Sequence, residues 1–375
     1  MVGKLVVRYV GDEARSQGPG GTAVLLVNLG TPEAPTAGAV RRYLAEFLWD
    51  PRVVEIPRPI WWLLLYGLVL PTRSRRAAAA YEKIWTPDGS PLLVHSLHQR
   101  EALAAALPQR VAGVTVELAM RYGRPSIPDV LAKLRAERLQ RLLVLPLYPQ
   151  YCGVTTGSAF DAVSAELARW RTVPALRFVA DYHDDPRYIS ALAQSVRDHW
   201  WQHGHAERLL FSFHGIPARN VAAGDPYEQQ CLVTARLVAQ ALALPQDRWA
   251  VSFQSRLGRA QWLQPYTAEL LPAWAREGVR EVDIISPGFA ADCVETLEEI
   301  AIRYRTDFEG AGGAALRYIP ALNERRDHIE FLVDFVAQQL QGWAETDTAE
   351  TARAADEAQT PGPRDGRSTL KEFHR

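Results

Sequence analysis

Residues 282–299, VDIISPGFAADCVETLEE, change their pattern halfway along the segment. The first five form an apolar run bounded by turn residues, which is typical of a short buried strand. Pro287 and Gly288 end this run, and a helical pattern begins near Asp292. A buried strand that turns directly into a helix is the repeating unit of a parallel α/β sheet.

The same alternation continues along the whole chain. Further strands are predicted near residues 23–28, 114–120, 142–147, 178–180, 208–213, 249–253 and 317–319. Helical patterns separate them, and such alternation builds parallel sheets with helices on both faces. The sequence therefore predicts an α/β protein with two doubly wound parallel sheets.

This pattern also predicts the domain boundaries. We expect a flexible N-terminal extension at 1–20, a first domain at 21–185 with an apolar lip at 49–70, a second domain at 186–320, a C-terminal helix at 321–343 that packs back on the first domain, and a disordered tail at 344–375. The tail lacks an apolar period and is rich in Ala, Glu, Asp, Thr and Arg.

Composition excludes several classes of protein. The formal net charge of −1 gives no general attraction to nucleic acid. Three cysteines without a C-x-x-C pair argue against a disulfide framework or a structural zinc site, and for a reducing compartment. No signal-peptide core precedes the first strand, and the longest apolar run, residues 60–70, is about half of the ~20 residues that span a bilayer. We expect a soluble, cytoplasmic protein.

Acidic side chains mark the helix that follows the opening strand. Asp292, Glu295 and Glu299 are spaced by three and four residues, so a helix would place their carboxylates on one face. Such like charges cost about 0.2–0.5 kcal/mol per pair, a cost that a bound cation would relieve. Alternatively, Asp292 and Glu295 form a capping box, and Glu298 and Glu299 are simply solvated.

A histidine occupies the end of another predicted strand. His214 closes the run RLLFSFH and precedes a glycine. Ligands of open parallel sheets bind outside the carboxyl ends of the strands, where both His214 and the acidic helix would lie. The alternative is a structural, hydrogen-bonded histidine.

Three other motifs each have a structural and a functional interpretation. Residues 155–158, TTGS, are predicted to lead into a helix N-terminus that could cradle an anion, although Ser158 could be a plain N-cap. His199 and His203 have metal-pair spacing but lie at a helix end, where the dipole favours histidine. The cluster around Trp49, Trp61 and Trp62 is a core helix, the lip of an apolar pocket or a membrane-contacting surface.

Together these motifs resemble the ferrochelatase family. The resemblance rests on NLGTPE (28–33), YPQY (148–151), TTGS (155–158), FSFHGIP (211–217), GDPY (224–227), FQSRLG (253–258) and PGFAADCVETLEE (287–299). These motifs follow the family's order over about residues 22–340. Residues 1–20 and 344–375 fall outside the match.

The resemblance implies insertion of Fe²⁺ into protoporphyrin IX to give protohaem, the last step of haem synthesis. It implies two Rossmann-like domains with the active cleft between them. His214 and Glu295 would face each other across the macrocycle as catalytic residues and metal ligands, and Glu299 would lie further along the metal path. The implied substrate-binding residues are Arg121, Tyr122, Thr155, Thr156, Phe289, Trp61 and Trp62.

The required chemistry agrees with these residue types. A porphyrin loses two pyrrole protons as the metal enters, and an imidazole can accept protons near neutral pH. Carboxylates bind hard divalent ions loosely enough to release them. Because Zn²⁺ binds such N/O sites more tightly than Fe²⁺, we expect zinc to be inserted in vitro as well.

The sequence departs from parts of the family pattern. Cys293 stands where animal members have a second histidine, and it is either a soft ligand or a small buried thiol. No cysteine follows Cys293, so we expect no iron–sulfur cluster and no tightly bound cofactor.

The alternative functions are insertion of iron into coproporphyrin III, a cobalt chelatase, and a non-catalytic two-domain binding protein. The expected partners are protoporphyrin IX and ferrous iron, with peripheral contact to the inner face of the membrane through the lip as a hypothesis.

Overall fold

The computed structural model describes residues 9–11, 20–256, 258 and 260–343 of the 375-residue chain. The predicted tail at 344–375 and most of the predicted extension at 1–20 lie outside the described residues.

Two parallel four-stranded sheets form the framework. The first consists of β1 (Gly21–Gly30), β2 (Val114–Tyr122), β3 (Leu139–Pro146) and β4 (Ala175–Phe178), in the order β2-β1-β3-β4. The second consists of β5 (Arg208–His214), β6 (Trp249–Gln254), β7 (Glu281–Ile285) and β8 (Ala315–Ile319), in the order β6-β5-β7-β8. The predicted α/β fold with two doubly wound sheets is confirmed.

Helices cover both sheets. Their bounds are α1 (Ala37–Trp49), α2 (Arg58–Leu64), α3 (Leu70–Ile84), α4 (Pro91–Ala106), α5 (Ile127–Ala136), α6 (Ser158–Leu167), α7 (Pro186–His203), α8 (Ala218–Ala222), α9 (Tyr227–Ala241), α10 (Thr267–Arg276), α11 (Arg305–Gly310) and α12 (Arg326–Gln339). Within the residues that the structure describes, three π-helical segments, Leu65–Val69, Gly153–Gly157 and Glu295–Tyr304, interrupt or precede these helices. Such segments are rare and frequently lie at functional sites.

The central strands are buried on both faces, as parallel strands between helix layers must be. In β1, Val24, Leu25, Leu26 and Val27 have no exposed surface. One hydrophobic cluster continues from Leu26 in the first sheet to Phe211 in the second and includes Phe331 of α12. The two sheets therefore share a core, which fixes their strand ends relative to each other.

The final helix connects the two halves. It packs against α4 and α7, and an ion pair joins Asp334 to Arg110 at 3.1 Å. At the C-terminal end of α12, Arg177 of β4 donates a hydrogen bond to the carbonyl of Gln339. The domain boundaries at 185/186 and 320/321 stay predictions.

A buried histidine in α12 makes the stability sensitive to acid. The Nδ1 of His328 lies 2.7 Å from the carbonyl oxygen of Asn323 and donates to it, and within the described part of the chain its Nε2 has no hydrogen-bond partner. Burial lowers the pKa of His328 from 6.5 to about 4. Between these values the unfolded chain binds more protons, so the free energy of unfolding falls as the pH drops through this window.

We expect His328 alone to lower the free energy of unfolding by about 2 kcal/mol when the pH falls from 7 to 5. Denaturant unfolding of wild type and His328→Gln at both pH values measures it, because the variant should lose less stability on acidification. His205→Gln, at an exposed position, is the matched control. An equal acid loss in wild type and His328→Gln would contradict the assignment.

Candidate active site

The segments that follow β1, β3, β5 and β7 line one chamber of about 170 Å³. In each sheet the chain turns in opposite directions from two central neighbours, β1 and β3 in the first and β5 and β7 in the second. A crevice opens at such a switch point, outside the carboxyl ends of the strands. The two switch points face the same chamber, which explains why it draws residues from both sheets.

The chamber wall is mostly apolar and aromatic. Its side chains include Tyr43, Phe47, Tyr81, Leu92, Tyr148, Tyr227 and Phe289. Burial raises the pKa of the Tyr43, Tyr81, Tyr148 and Tyr227 phenols well above the usual value, so all four stay neutral at physiological pH. The wall thus suits a flat apolar ligand.

His214 lies at the end of β5 and lines the chamber. Its Nδ1 is 2.7 Å from the carbonyl oxygen of Gly215. Because a carbonyl can only accept a hydrogen bond, Nδ1 carries the proton and Nε2 keeps a free lone pair. The imidazole is therefore set as a proton acceptor through Nε2.

The residue after the histidine must be glycine. The amide of Gly215 donates to the carbonyl of Gln254 at 2.8 Å. A Cβ at Gly215 would lie 2.9 Å from that oxygen and 3.1 Å from the Trp262 ring. The close approach of the two chains leaves no room for a side chain and so fixes the direction in which His214 leaves its strand.

Glu295 begins the π-helical segment Glu295–Tyr304 and lines two cavities at once. One is the chamber, and the other is a cleft of about 840 Å³ between α3 and the π segment. Glu295 forms no ion pair with any residue that the structure describes, so its carboxylate is available at the junction.

Gln254 joins the two candidate catalytic segments. Its carbonyl holds the Gly215 amide, and its side-chain amide donates to the backbone carbonyl of Glu295 at 2.9 Å. Gln254 is almost fully buried, and its Oε1 accepts from the hydroxyl of Ser212 at 2.7 Å. No role is predicted for this residue from sequence; its position in FQSRLG, at the end of a predicted strand, was the available signal.

The cleft carries more positive than negative charge. Glu298 pairs with Lys83 at 2.9 Å, and Glu299 with Arg303 at 3.2 Å. Arg73 and Arg76 of α3 also line the cleft, and neither has an ion pair among residues 20–256, 258 and 260–343. Burial and the nearby Arg76 lower the pKa of Arg73. These two guanidinium groups therefore favour an anionic ligand group.

Glu299 is already engaged by the protein. Its carboxylate accepts hydrogen bonds from the Ser255 amide (3.1 Å), the Ser255 hydroxyl (2.5 Å) and the Tyr304 phenol (2.6 Å). Metal ligation by Glu299 stays a prediction, and it would require some of these bonds to open.

The structure corrects the expected position of Asp292. This residue precedes the helix rather than starting it, and it does not share a face with Glu295. Its carboxylate accepts hydrogen bonds from Tyr318 (2.7 Å), Thr296 (2.9 Å) and Asn323 (2.7 Å). The alternative capping box is also wrong, because the Asp292 amide that Glu295 would bond donates instead to Oδ1 of Asn323 at 2.8 Å. Spacing alone could not show these donors from distant segments.

Arg121 and Tyr122 lie behind the chamber rather than in its lining. Asp50 accepts hydrogen bonds from Arg121 (2.5 Å), Tyr122 (2.9 Å) and Ser158 (2.6 Å). The Tyr122 ring packs edge-on against Phe47, with centroids 5.1 Å apart. Because Phe47 lines the chamber, this polar network supports the wall from behind.

Removal of the Asp50 charge should destabilise the fold. Burial opposes ionisation of Asp50, but hydrogen bonds from Ser158, the Arg52 amide and Tyr122 outweigh it and lower its pKa. Asp50→Asn would leave Arg121, mostly buried, without its anion, and we expect a loss of about 3 kcal/mol in the free energy of unfolding. Denaturant unfolding at pH 7 measures this.

Asp161→Asn is the matched control, since the Arg52–Asp161 pair is largely exposed and should contribute about 0–1 kcal/mol. Equal losses in both variants would contradict the prediction.

The TTGS turn is not the predicted anion cradle. The helix begins earlier, at the π segment Gly153–Gly157, and the amides of Thr155 and Gly157 both donate to the carbonyl of Cys152. The carboxylate of Asp225 occupies the actual N-terminus, at 2.7 Å from the Gly153 amide. The expected N-cap role of Ser158 is likewise wrong, because its hydroxyl bonds Asp50. Thr155 lines the chamber.

Two predicted residues, Thr156 and Trp61, are buried away from the cavity walls. The Thr156 hydroxyl has no hydrogen-bond partner in the described portion of the chain. Trp61 is 8% exposed, donates to the carbonyl of Leu48 at 2.7 Å and packs with Leu65 and Leu70. Burial of its large ring forms the core of the lip, which agrees with the core-helix alternative.

The outer surface of the lip is exposed. Trp62 is 52% exposed and lines neither the chamber nor the cleft. Its exposed neighbours are Ile60, Leu63, Leu64, Tyr66 and Leu68. Among the helices that the structure describes, none is long and apolar enough to cross a membrane.

The surroundings of the two remaining candidates, His199 and Cys293, favour structural roles. His199 lies 3.4 Å from the buried carboxylate of Asp283, at the end of α7. Cys293 is buried at the chamber wall, where burial and the charge of Glu295 raise the pKa of its thiol. A neutral thiol is a poor metal ligand, so the structure favours the small buried thiol for Cys293.

Comparison with known proteins supports one family. The model of the Ferrochelatase family matches residues 21–340. The ferrochelatase of Thioalkalivibrio sulfidiphilus is 53% identical over 354 residues, which cover 94% of this chain and 96% of that protein. The ferrochelatase of Azoarcus sp. is 55% identical over 322 residues, 86% of this chain and 88% of that protein.

A solved structure shows the same fold at low identity. The sirohydrochlorin chelatase SirB from Bacillus subtilis, in complex with cobalt, has a TM-score of 0.50 and 10% identity, and covers 86% of this chain and 98% of that one. This likeness concerns the fold alone. The family match and the relatives above 50% identity go further: this chain belongs to the ferrochelatase family.

Proposed function

We propose that the protein inserts ferrous iron into protoporphyrin IX and releases protohaem, as the last step of haem synthesis. The observation that carries the proposal is the convergence of His214 and Glu295 on one apolar chamber. They come from different strand ends, and the chamber together with the cleft that meets it at Glu295 suits a flat macrocycle. Membership of the ferrochelatase family supports the same reaction.

The reaction exchanges two pyrrole protons for one metal ion. Nε2 of His214 accepts a proton from a pyrrole nitrogen as Fe²⁺ enters, and the Gly215 carbonyl stabilises the resulting imidazolium through Nδ1–H. Glu295 supplies a hard oxygen ligand for the incoming ion. Because its carboxylate faces both cavities, it can also pass the second proton towards the cleft.

The size and charge of the cavities support a macrocycle that spans both. Pockets for such ligands measure about 300–1,000 Å³, and the chamber alone is smaller, at about 170 Å³. Chamber and cleft meet at Glu295, so the ring would extend from one into the other. The two propionates would then lie towards Arg73 and Arg76, and the vinyl edge in the apolar chamber.

This orientation favours protoporphyrin over coproporphyrin III. Coproporphyrin carries four propionates, and an apolar wall with neutral phenols would leave the extra carboxylates without partners. We therefore place coproporphyrin insertion second.

An anaerobic spectroscopic assay tests the function. Purified protein is mixed with protoporphyrin IX or coproporphyrin III and with Fe²⁺, Co²⁺ or Zn²⁺, and the Soret band is followed. We expect the highest kcat/KM with protoporphyrin and Fe²⁺, and also insertion of Zn²⁺. Porphyrin binding without insertion of any metal would instead support a non-catalytic binding protein.

We also propose that the enzyme holds no resident cofactor. A cluster with four thiolate ligands needs four cysteines, and the chain has three. We therefore expect no such cluster, and iron as a substrate. Iron with acid-labile sulfide in freshly purified protein would contradict this.

We further propose a cytoplasmic protein that contacts the inner face of the membrane through its lip. The exposed apolar side chains of the lip support the contact, and the three buried free cysteines suit a reducing compartment. Burying one large apolar side chain contributes roughly 1.5–3 kcal/mol. The double variant Trp62→Glu, Leu63→Glu should therefore lose at least about 10-fold in affinity for vesicles.

Vesicle flotation measures this affinity. Trp201→Glu is the matched control, because Trp201 is 91% exposed but belongs to α7 rather than to the lip. Absence of vesicle binding by the wild type, or an equal loss in the control, would contradict the membrane contact.

A further inference from the structure

Two histidines and a glutamate converge on a surface away from the chamber. His95 and His98 are three residues apart on α4, so they share one face of that helix. The Nδ1 of His95 lies 2.7 Å from Oε2 of Glu324, and the Nδ1 of His98 lies 3.4 Å from Oε1 of the same carboxylate. The three ligand atoms are all within 4.8 Å of one another. Each imidazole thus faces its own oxygen of one carboxylate.

The buried side chain of Gln99, next to the cluster, holds this arrangement in place. Gln99, the residue after His98, has no exposed surface and donates to the carbonyls of Asn323 (2.9 Å) and Ala290 (2.7 Å). Asn323 immediately precedes Glu324 and is itself bonded to Asp292. The two segments that carry the three side chains are therefore tied together by buried bonds next to the cluster.

The cluster is accessible as well as ordered. The side chains of His95, His98 and Glu324 are 26%, 50% and 38% exposed. His95 and Glu324 also border a cavity of about 450 Å³. An ion can therefore enter and keep water molecules in its remaining coordination positions.

We propose that His95, His98 and Glu324 form a binding site for a divalent transition-metal ion such as Zn²⁺ or Co²⁺. Two imidazole nitrogens and one carboxylate oxygen are a ligand set that such ions use, with water completing the coordination. Each imidazole would coordinate the ion through Nδ1 and carry its one proton on Nε2, so no proton has to leave the site.

The role of the site is to fasten two parts of the chain. α4 lies between β1 and β2 of the first sheet, whereas Glu324 follows β8 of the second. The Glu324 loop, through Asn323, also holds the segment with Ala290 and Asp292, which leads to Glu295. A bound ion would stabilise this connection without touching the chamber.

Metal titration of the chelator-treated full-length protein tests the proposal. Zn²⁺ binding is followed by calorimetry and Co²⁺ binding by visible absorption, in wild type, His95→Asn/His98→Asn and Glu324→Gln. His205→Asn is the matched control, because this exposed histidine lies outside the cluster. The catalytic chamber is unchanged in all four proteins, so any metal bound there contributes equally.

We expect the double variant to bind one ion fewer per chain than wild type and control. Glu324→Gln should bind that ion at least about 10-fold more weakly, because loss of even an outer-shell partner costs about 10–100-fold in metal affinity. Saturating Zn²⁺ should raise the Tm of the wild type more than that of the double variant. Equal stoichiometry in wild type and double variant, or no difference in the Zn²⁺-dependent Tm, would overturn the proposal.

Discussion

His214→Ala should insert iron into protoporphyrin about 10²–10⁴-fold more slowly than wild type, the range for loss of a general base. The variant lacks the Nε2 lone pair that accepts the pyrrole proton, while the Tyr and Phe side chains that bind the macrocycle remain. We therefore expect the loss in kcat, with porphyrin affinity from fluorescence quenching changed only a few-fold. Added imidazole should restore part of the rate, because a free base can occupy the vacated space.

The control for this variant is His205→Ala, at an exposed histidine remote from the chamber lining. It should keep the wild-type kcat. A wild-type rate in His214→Ala would contradict the role of His214, and a low rate with equally weakened porphyrin binding would show that the imidazole positions the ring instead.

Glu295→Gln is expected to have the second largest effect. The amide keeps the shape of the side chain but removes the negative charge at the junction of the chamber and the cleft. An amide binds a divalent ion less well and cannot accept a proton at neutral pH, so we expect a loss of at least about 100-fold in kcat/KM for Fe²⁺, as for other proton-transfer groups. Steady-state insertion rates at varied Fe²⁺ measure this.

Glu298→Gln provides the matched control on the same π segment. Glu298 lines only the cleft and already pairs with Lys83. Its substitution should change kcat/KM only a few-fold. If the two variants lost activity equally, the effect would belong to the charge of the whole segment and not to the position of Glu295.

The fold and the strand ends at which the site lies could be predicted because they depend on local patterns. Apolar runs of strand length, each followed by a helical pattern, are sufficient to predict parallel sheets. Ligand sites lie outside the carboxyl ends of such strands, and this rule placed His214 and the acidic helix at such ends. The resemblance to the ferrochelatase family then singled out His214 and Glu295 as the catalytic pair. The structure brings both to the same chamber.

The contacts between distant segments could not be predicted in this way. Asp292 is bonded by Tyr318 and Asn323, and Asp50 by Arg121 and Ser158, over separations that no local spacing encodes. The three π-helical segments also follow ordinary helical composition, so their extra residue per turn leaves no periodic signal. For this reason the predicted start of the helix at TTGS (155–158) was wrong.

Trp61 illustrates a different limit. An aromatic residue in an apolar helix is compatible with the core, with a ligand pocket and with an exposed lip. Only the packing of the folded chain distinguishes these three environments. Here Trp61 is buried inside the lip, whereas its neighbour Trp62 is exposed on the outside. Sequence could define the lip as a segment but not the face that each tryptophan occupies.

The central claim is that one macrocycle binds between His214 and Glu295, in the space shared by both sheets. A crystal structure of the protein with metal-free protoporphyrin IX tests this directly. We predict the ring between the two side chains, with Nε2 of His214 facing the pyrrole nitrogens from one side, the Glu295 carboxylate on the other, and the propionates towards Arg73 and Arg76. A ring bound elsewhere, with the two side chains on no common ligand, would contradict the account.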